Sequence, residues 1–245
     1  MPQKGPVRWL DGEGWLVLLG GGDWRRGETD QVDAQLLSVV NLDRPMIVLT
    51  GGGRISEAEA ILDHYTQMGG PGGEAFALSE LENSASSYGQ LDAPEVLTLI
   101  QEAGIIYLGG EDPFALVTNL HESLALRHIV EGYSTLQGLT LIGAGAGAAA
   151  LGRWVFTPEP PHQKAMGLGF VMNAVVVPHF TTAENSPILR ALPQIGDGLL
   201  GLGIPNKTAL ALGPREQLEM WGEGQITAVV KAGDAASKEM IRGTT

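Results

Sequence analysis

Five short runs of apolar residues recur along this 245-residue chain: WLVLL (15–19), MIVLT (46–50), GIIYL (104–108), LTLI (139–142) and AVVVP (174–178), with stretches of helical periodicity between them. A strand that is apolar at every position leaves no face for water, so it must be covered on both sides, and a parallel sheet layered between helices does this. The pattern predicts an α/β fold, a doubly wound, mostly parallel sheet flanked by helices. Ser56 and Glu59 form a capping box ahead of the stripe Ala58, Ile61, Leu62, Tyr65 and Met68. Asp92 and Glu95 repeat that pattern before Val96, Leu99 and Ile100, with Pro94 in the first turn, and Asp112-Pro113 caps and starts another helix. Beyond residue 205 the runs TALAL, QLEMWG and QITAVV are short and broken by Gly, Pro and charge. They predict antiparallel strands that finish the sheet or form a small ribbon, followed by a mobile tail over 236–245.

No Pro/Ser-rich linker or charge block divides the chain, so residues 1–245 read as a single domain. Its 28 acidic residues outweigh 15 Lys and Arg, for a formal charge of −13. Such a surface repels phosphate backbones and anionic lipid, which argues against nucleic-acid and membrane partners and leaves small molecules, peptides or proteins. The absence of Cys removes disulfides, thiolate zinc sites and a Cys nucleophile. The N-terminal stretch MPQKGPVRWLDGEGWLVLLGGG lacks an uninterrupted apolar core with a small-residue cleavage site, and no later segment approaches about 18 apolar residues, so the cytoplasm is the expected location.

The stretch LTLIGAGAGAAALG (139–152) superimposes two patterns. Gly143-x-Gly145-x-x-Ala148 fits the loose dinucleotide fingerprint, which calls for the first strand of a βαβ unit and an acidic residue about 20 positions on. Here several strand candidates precede the motif, and Glu159 lies in the turn-like TPEPP. The same residues have the frame of a nucleophile elbow, a tight strand-to-helix turn that lifts a Ser or Cys above a sheet, but with Gly145 at the reactive position. The surrounding alanines, from Ala144 to Ala150, supply the small surfaces that a helix needs where it starts close against a sheet. A plain strand–turn–helix explains these residues equally well. Glycines also follow other strand ends, at 20–22, 51–53 and 109–110, and in an open α/β sheet such loops line one crevice.

Four segments in order, YLGGEDPFAL, LIGAGAGAAALG, GLGFVMNAVVVPHFTT and GLGIPNKTALAL, together resemble the cyanophycinase and alpha-aspartyl dipeptidase family of serine peptidases over most of residues 15–215. The resemblance implies a sheet like that of the class I glutamine amidotransferase domain, a flavodoxin-like arrangement. It puts the family's nucleophilic Ser on Gly145 and its catalytic His on His179. The acidic member of the triad, as in the dipeptidase branch, falls close to Glu159 or Pro160, which makes Glu159 the candidate. The oxyanion hole falls on the N–H of Ala146 and one from the Gly109-Gly110 loop, taken as Gly110. Where cyanophycinases carry Gly-Gly-Asn-Gln, this chain has Gly109, Gly110, Glu111 and Asp112; where they have Gln before the His, it has Pro178, as in the dipeptidase branch. Gly109, Glu111, Asp112 and Pro178 are therefore the expected substrate-binding positions.

In such peptidases Ser attacks the scissile carbonyl, His takes its proton and backbone N–H groups stabilise the oxyanion. Without an Oγ there is no acyl-enzyme, so the resemblance implies an inactive homologue that keeps a crevice for a small ligand, an acidic peptide or a protein partner. The contrasting expectation is an active hydrolase of aspartyl or β-aspartyl peptides, using Thr181, Thr182 or Ser186 as a displaced nucleophile, or a water activated by His179 and directed by Glu111 or Asp112. No cofactor is expected, and no metal, since His162, His179 and Glu184 lack a recognised ligand spacing. Trp24 is expected at the crevice rim, with Arg25 and Arg26 beside it as candidate carboxylate contacts. Family analogy implies a homodimer.

Overall fold

A computed structural model describes residues 3–78, 91–135, 138–156, 163–182, 186, 199–232 and 235–241. The chain opens with a two-stranded ribbon, β1 (Gln3–Lys4) and β2 (Val7–Arg8), and enters the main sheet as β3 (Leu16–Leu19). Helix α1 (Asp30–Val39) then leads to β4 (Met46–Gly51), α2 (Ile55–Gln67) to β5 (Gly73–Leu78), and α3 (Pro94–Glu102) to β6 (Ile105–Gly110). Helices α4 (Pro113–Leu120) and α5 (Leu124–Ser134) precede β7 (Thr140–Ala144), and α6 (Ala146–Ala150) follows almost at once. The remainder is β8 (Trp154–Phe156), β9 (Lys164–Met166), β10 (Ala174–Val177), β11 (Leu200–Gly203), β12 (Thr208–Gly213), β13 (Gln217–Gly222), β14 (Ile226–Ala232) and β15 (Ala235–Ile241).

The main sheet has seven strands in the order β13-β12-β3-β7-β6-β4-β5. The neighbours from β3 to β5 are parallel, and β12 and β13 close one edge in antiparallel fashion. The continuous apolar runs are explained by burial on both faces. Leu16, Leu18, Ile47, Leu49, Ile106 and Leu108 enter one core, while their neighbours Val17, Leu19, Met46, Val48, Ile105 and Tyr107 enter the other. Strand alternation thus sends an apolar side chain each way, and a fully buried one of Leu or Ile size contributes about 1.5–3 kcal/mol.

The fifth apolar run departs from the expected single sheet. As β10 it heads a separate four-stranded sheet, β10-β11-β14-β15, pairing parallel with β11. Its Ala174 and Val176 pack into the core under the main sheet, and Val175 and Val177 into a small cluster of their own. Both faces are buried here too, so the run looks the same in sequence. The antiparallel C-terminal strands divide likewise: β12 and β13 complete the main sheet, β14 the second. Strand β15 pairs with β14, and all of it but Ala235 falls within the expected tail.

Two expected caps are used differently. Helix α2 begins at Ile55 with Arg54 at its N-cap and no side-chain cap bond, so Ser56 lies inside the first turn. The stripe nonetheless holds, with Ala58, Ile61 and Tyr65 buried. Asp92 caps another helix: its carboxylate accepts from Leu124 N at 2.7 Å and Ala125 N at 3.4 Å, satisfying first-turn N–H groups of α5. Asp112 caps α4 as expected, accepting from Phe114 N at 2.8 Å with Pro113 in the first turn. None of the described helices is long and apolar enough to cross a membrane.

Candidate active site

Strand β7 ends at Ala144 and α6 begins at Ala146, so Gly145 alone makes the turn, with φ 53° and ψ −113°. A residue with a side chain is strained there by about 1–3 kcal/mol. The turn is fixed from both sides: Gly145 N donates to Leu19 O at 3.0 Å, and Ala149 N to Gly145 O at 3.1 Å. A side chain at Gly147 would run into the carbonyl of Leu108, so the small residues after the turn let α6 seat directly on β6. The dinucleotide reading finds less support, because β3, β4, β5 and β6 all precede β7 in the chain.

His179 stands over this turn. A Cβ placed on Gly145 would lie 3.2 Å from His179 Nε2. The histidine follows β10 and Pro178, and its φ of 51° is unusual for a residue with a side chain. Its N–H donates to Gly20 O at the end of β3 at 2.7 Å, and its Nδ1 lies 2.8 Å from Asn206 Oδ1. With the amide oxygen accepting, Nδ1 carries the proton and Nε2 keeps its lone pair toward position 145. Lys207 N donates to Gly21 O at 2.8 Å, tying the segment that carries Asn206 to the same strand end.

The crevice over these strand ends is lined on one side by Trp24, Arg25, Thr50, Glu57, Tyr107 and Glu111, around a cavity of about 210 Å³ that also touches Gly110, Gly145 and His179. The Arg25 guanidinium lies 4.3 Å from the Trp24 ring centroid. Arg26 instead pairs with Asp23 at 3.2 Å. Thr50 Oγ1 is buried and has no hydrogen-bond partner among the described residues. On the other side Gly110, Glu111 and His179 border a second hollow, together with Ala146 and Pro178. Gly109 packs its backbone beside the Tyr107 ring, and the Asp112 side chain is engaged as the α4 cap. Glu159, His162 and Glu184 lie outside the described residues. Thr181 and Thr182 are exposed and Ser186 is buried.

Behind the polar wall sits a network that the sequence analysis missed. Asp33 is 1% exposed and accepts from Thr29 Oγ1 at 2.6 Å and Tyr65 Oη at 2.5 Å, with His64 Nε2 at 3.1 Å. Burial first, and then the Asp33 charge, hold the Tyr65 and Tyr107 hydroxyls above the usual tyrosine range, so both stay protonated hydrogen-bond donors. Trp24 leans on His64 with ring centroids 5.3 Å apart, so the network braces the crevice wall. Asp30, Asp33 and His64 are close enough to share a cation, but the Asp33 oxygens are already engaged by the three donors. Asn206 was also missed, although it lies in GLGIPNKTALAL, just past the β11 strand end, where a polar side chain commonly faces a crevice.

Known proteins resemble this chain in sequence and in fold. A cyanophycinase of Geminocystis herdmanii is 27% identical over 138 residues, which cover 53% of this chain and 50% of the relative. The chain thus spans about half the length of that curated relative. A crystal structure of a peptidase from an acI-B1 Actinobacterium superposes with a TM-score of 0.59 at 22% identity, covering 94% of this chain and 98% of the other, and shares the fold. The description of peptidase family S51 matches residues 16–216, a span that includes Gly145, His179, Asn206 and every strand of the main sheet except β13. The chain belongs to peptidase family S51.

Proposed function

We propose that this chain is a peptidase-family protein that has lost covalent catalysis and uses its crevice to bind a small ligand or an acidic peptide. The observation that carries the reading is the meeting of Gly145 and His179: the imidazole is oriented by Asn206 at 2.8 Å, but the residue under Nε2 has no hydroxyl. In a serine peptidase Nε2 would take the Oγ proton as Oγ attacks the carbonyl, and a first-turn N–H such as that of Ala146 would face the oxyanion. Ala146 opens α6 and so has no intrahelical acceptor. Gly110 lies beside it at the end of β6. What is left is transition-state stabilisation without a nucleophile, which in triad enzymes stripped of one member amounts to about 10³–10⁴ over water. The test is hydrolysis of an aspartyl and β-aspartyl dipeptide panel by the purified protein, with His179→Ala as control. Equal silence of the two is expected; turnover that His179→Ala abolishes would overturn the proposal.

The second reading, hydrolysis through a water held by His179, draws on the free Nε2 lone pair facing the crevice. The same assay separates the two, because only this reading requires His179 for turnover.

A further inference from the structure

The two sides of the crevice differ in chemistry. The side built by Thr50, Glu57, Arg25 and Tyr107 is polar and holds a cavity of about 210 Å³. The other holds about 470 Å³ and is walled by Pro113, Ala149, Val155, Phe156, Val176 and Pro178. Gly110, Glu111 and His179 border both, so the hollows adjoin beside the Gly145 turn. Any peptide whose backbone crosses the turn therefore meets a polar surface on one side and an apolar one on the other.

We infer that the larger hollow is a specificity pocket for one apolar side chain of a bound peptide, an inference that rests on the peptide-binding reading above. Each wall comes from a rigid element. Val155 ends up there through β8, Val176 through β10, Ala149 through α6, and Pro113 through the first turn of α4. Val155 and Val176 are each 1% exposed, so the floor is continuous with the core. Phe156 and Pro178 are half-buried and form the rim. Pockets of this size are typical of small-ligand sites, which are mostly apolar with a few polar groups that fix orientation; here Glu111 and His179 at the mouth are the polar groups. A charged side chain seated against these walls would exchange water for apolar surface, with Glu111 and His179 only at the mouth, whereas a leucine-sized one loses only its apolar hydration.

The experiment is calorimetric titration of the full chain with blocked tetrapeptides that contain one aspartate and otherwise alanine, changing one alanine at a time to leucine on either side of the aspartate. One additional methylene in a fitted pocket is worth about 10–200-fold. Leucine at one position is expected to tighten binding at least tenfold, and Ala149→Leu, which fills the pocket, should reduce that gain to within twofold. Phe156→Ser, which opens the rim, is the second variant in case Ala149→Leu does not fold, and it should also diminish the gain. Peptides that bind with no leucine gain at any position, or a gain untouched in both variants, would overturn the pocket while leaving peptide binding intact. Failure of every peptide to bind would overturn both it and the reading on which it rests.

Discussion

His179 Nδ1 and Asn206 Oδ1 meet at 2.8 Å, and this contact decides which imidazole nitrogen faces position 145. A neutral amide fills the place at Nδ1 that a carboxylate has in a Ser-His-Asp triad, giving the histidine–asparagine pairing that papain-like peptidases also use. Orientation and tautomer are thereby secured without a buried charge opposite the ring.

Restoring a hydroxyl at the turn tests the elbow directly. Gly145→Ser is expected to destabilise the protein by about 1–3 kcal/mol because serine must take up φ 53°. At about 2–4 °C per kcal/mol for a chain of this size, that is a fall in Tm of several degrees. The same variant should become reactive toward a serine-directed fluorophosphonate: Oγ bonds to phosphorus, fluoride leaves, and Nε2 takes the hydroxyl proton. Intact-mass measurement should show the adduct in Gly145→Ser and not in wild type or Gly145→Ser/His179→Ala. A raised Tm together with no adduct would mean that the turn is not an elbow.

The Asp33 network predicts a large stability effect remote from any reacting atom. Asp33→Ala leaves Thr29, Tyr65 and His64 without their shared acceptor, and each orphaned buried group costs about 1–3 kcal/mol. Urea unfolding should show a loss of about 3 kcal/mol or more, well above that of Thr29→Val, which breaks one of the three contacts. Equal losses in the two variants would show that Asp33 does not act as the shared hub.

Glu28 gives a pH signature. Its carboxylate accepts from Asp23 N at 2.9 Å and faces Lys207 Nζ at 3.3 Å, and these contacts, the backbone bond foremost, hold its pKa below the ordinary 4.5. Folding therefore favours the ionised form. Its stabilisation is complete above pH 4.5 and is lost as the pH falls from there through the lowered folded-state value. Thermal melts of wild type and Glu28→Gln should differ by a constant amount at neutral pH and converge in acid. Divergence toward acid would reverse the assignment.

How far the sequence could be read follows from the reach of each interaction. Burial on both faces marks every residue of MIVLT and GIIYL, so the layered sheet was legible locally, and GAGAGAAA announced a close strand-to-helix turn because crowding against Leu108 excludes a side chain at Gly147, just after the turn. Asp92 looked like the cap of its own helix, since nothing local reveals that the α5 N-terminus, 32 residues on, lies nearer its carboxylate. The partnership of Asp33 with Tyr65, and of His179 with Asn206, likewise depends on strand order, which sets neighbours that the linear spacing does not show. AVVVP read as one more strand of the main sheet because a buried strand carries no sign of which sheet it belongs to.

The second sheet gives His179 a duty apart from chemistry. The histidine leaves β10 and bonds through its main chain to Gly20, while Asn206 and Lys207 lead from β11 into β12 and the latter bonds to Gly21. These links are rivets between two separately paired sheets, and they would be needed whether or not anything were ever cleaved. Because these links run through the main chain, any residue with an N–H at 179 or 207 could make them, and only the contact of Nδ1 with Asn206 Oδ1 depends on which side chains stand there.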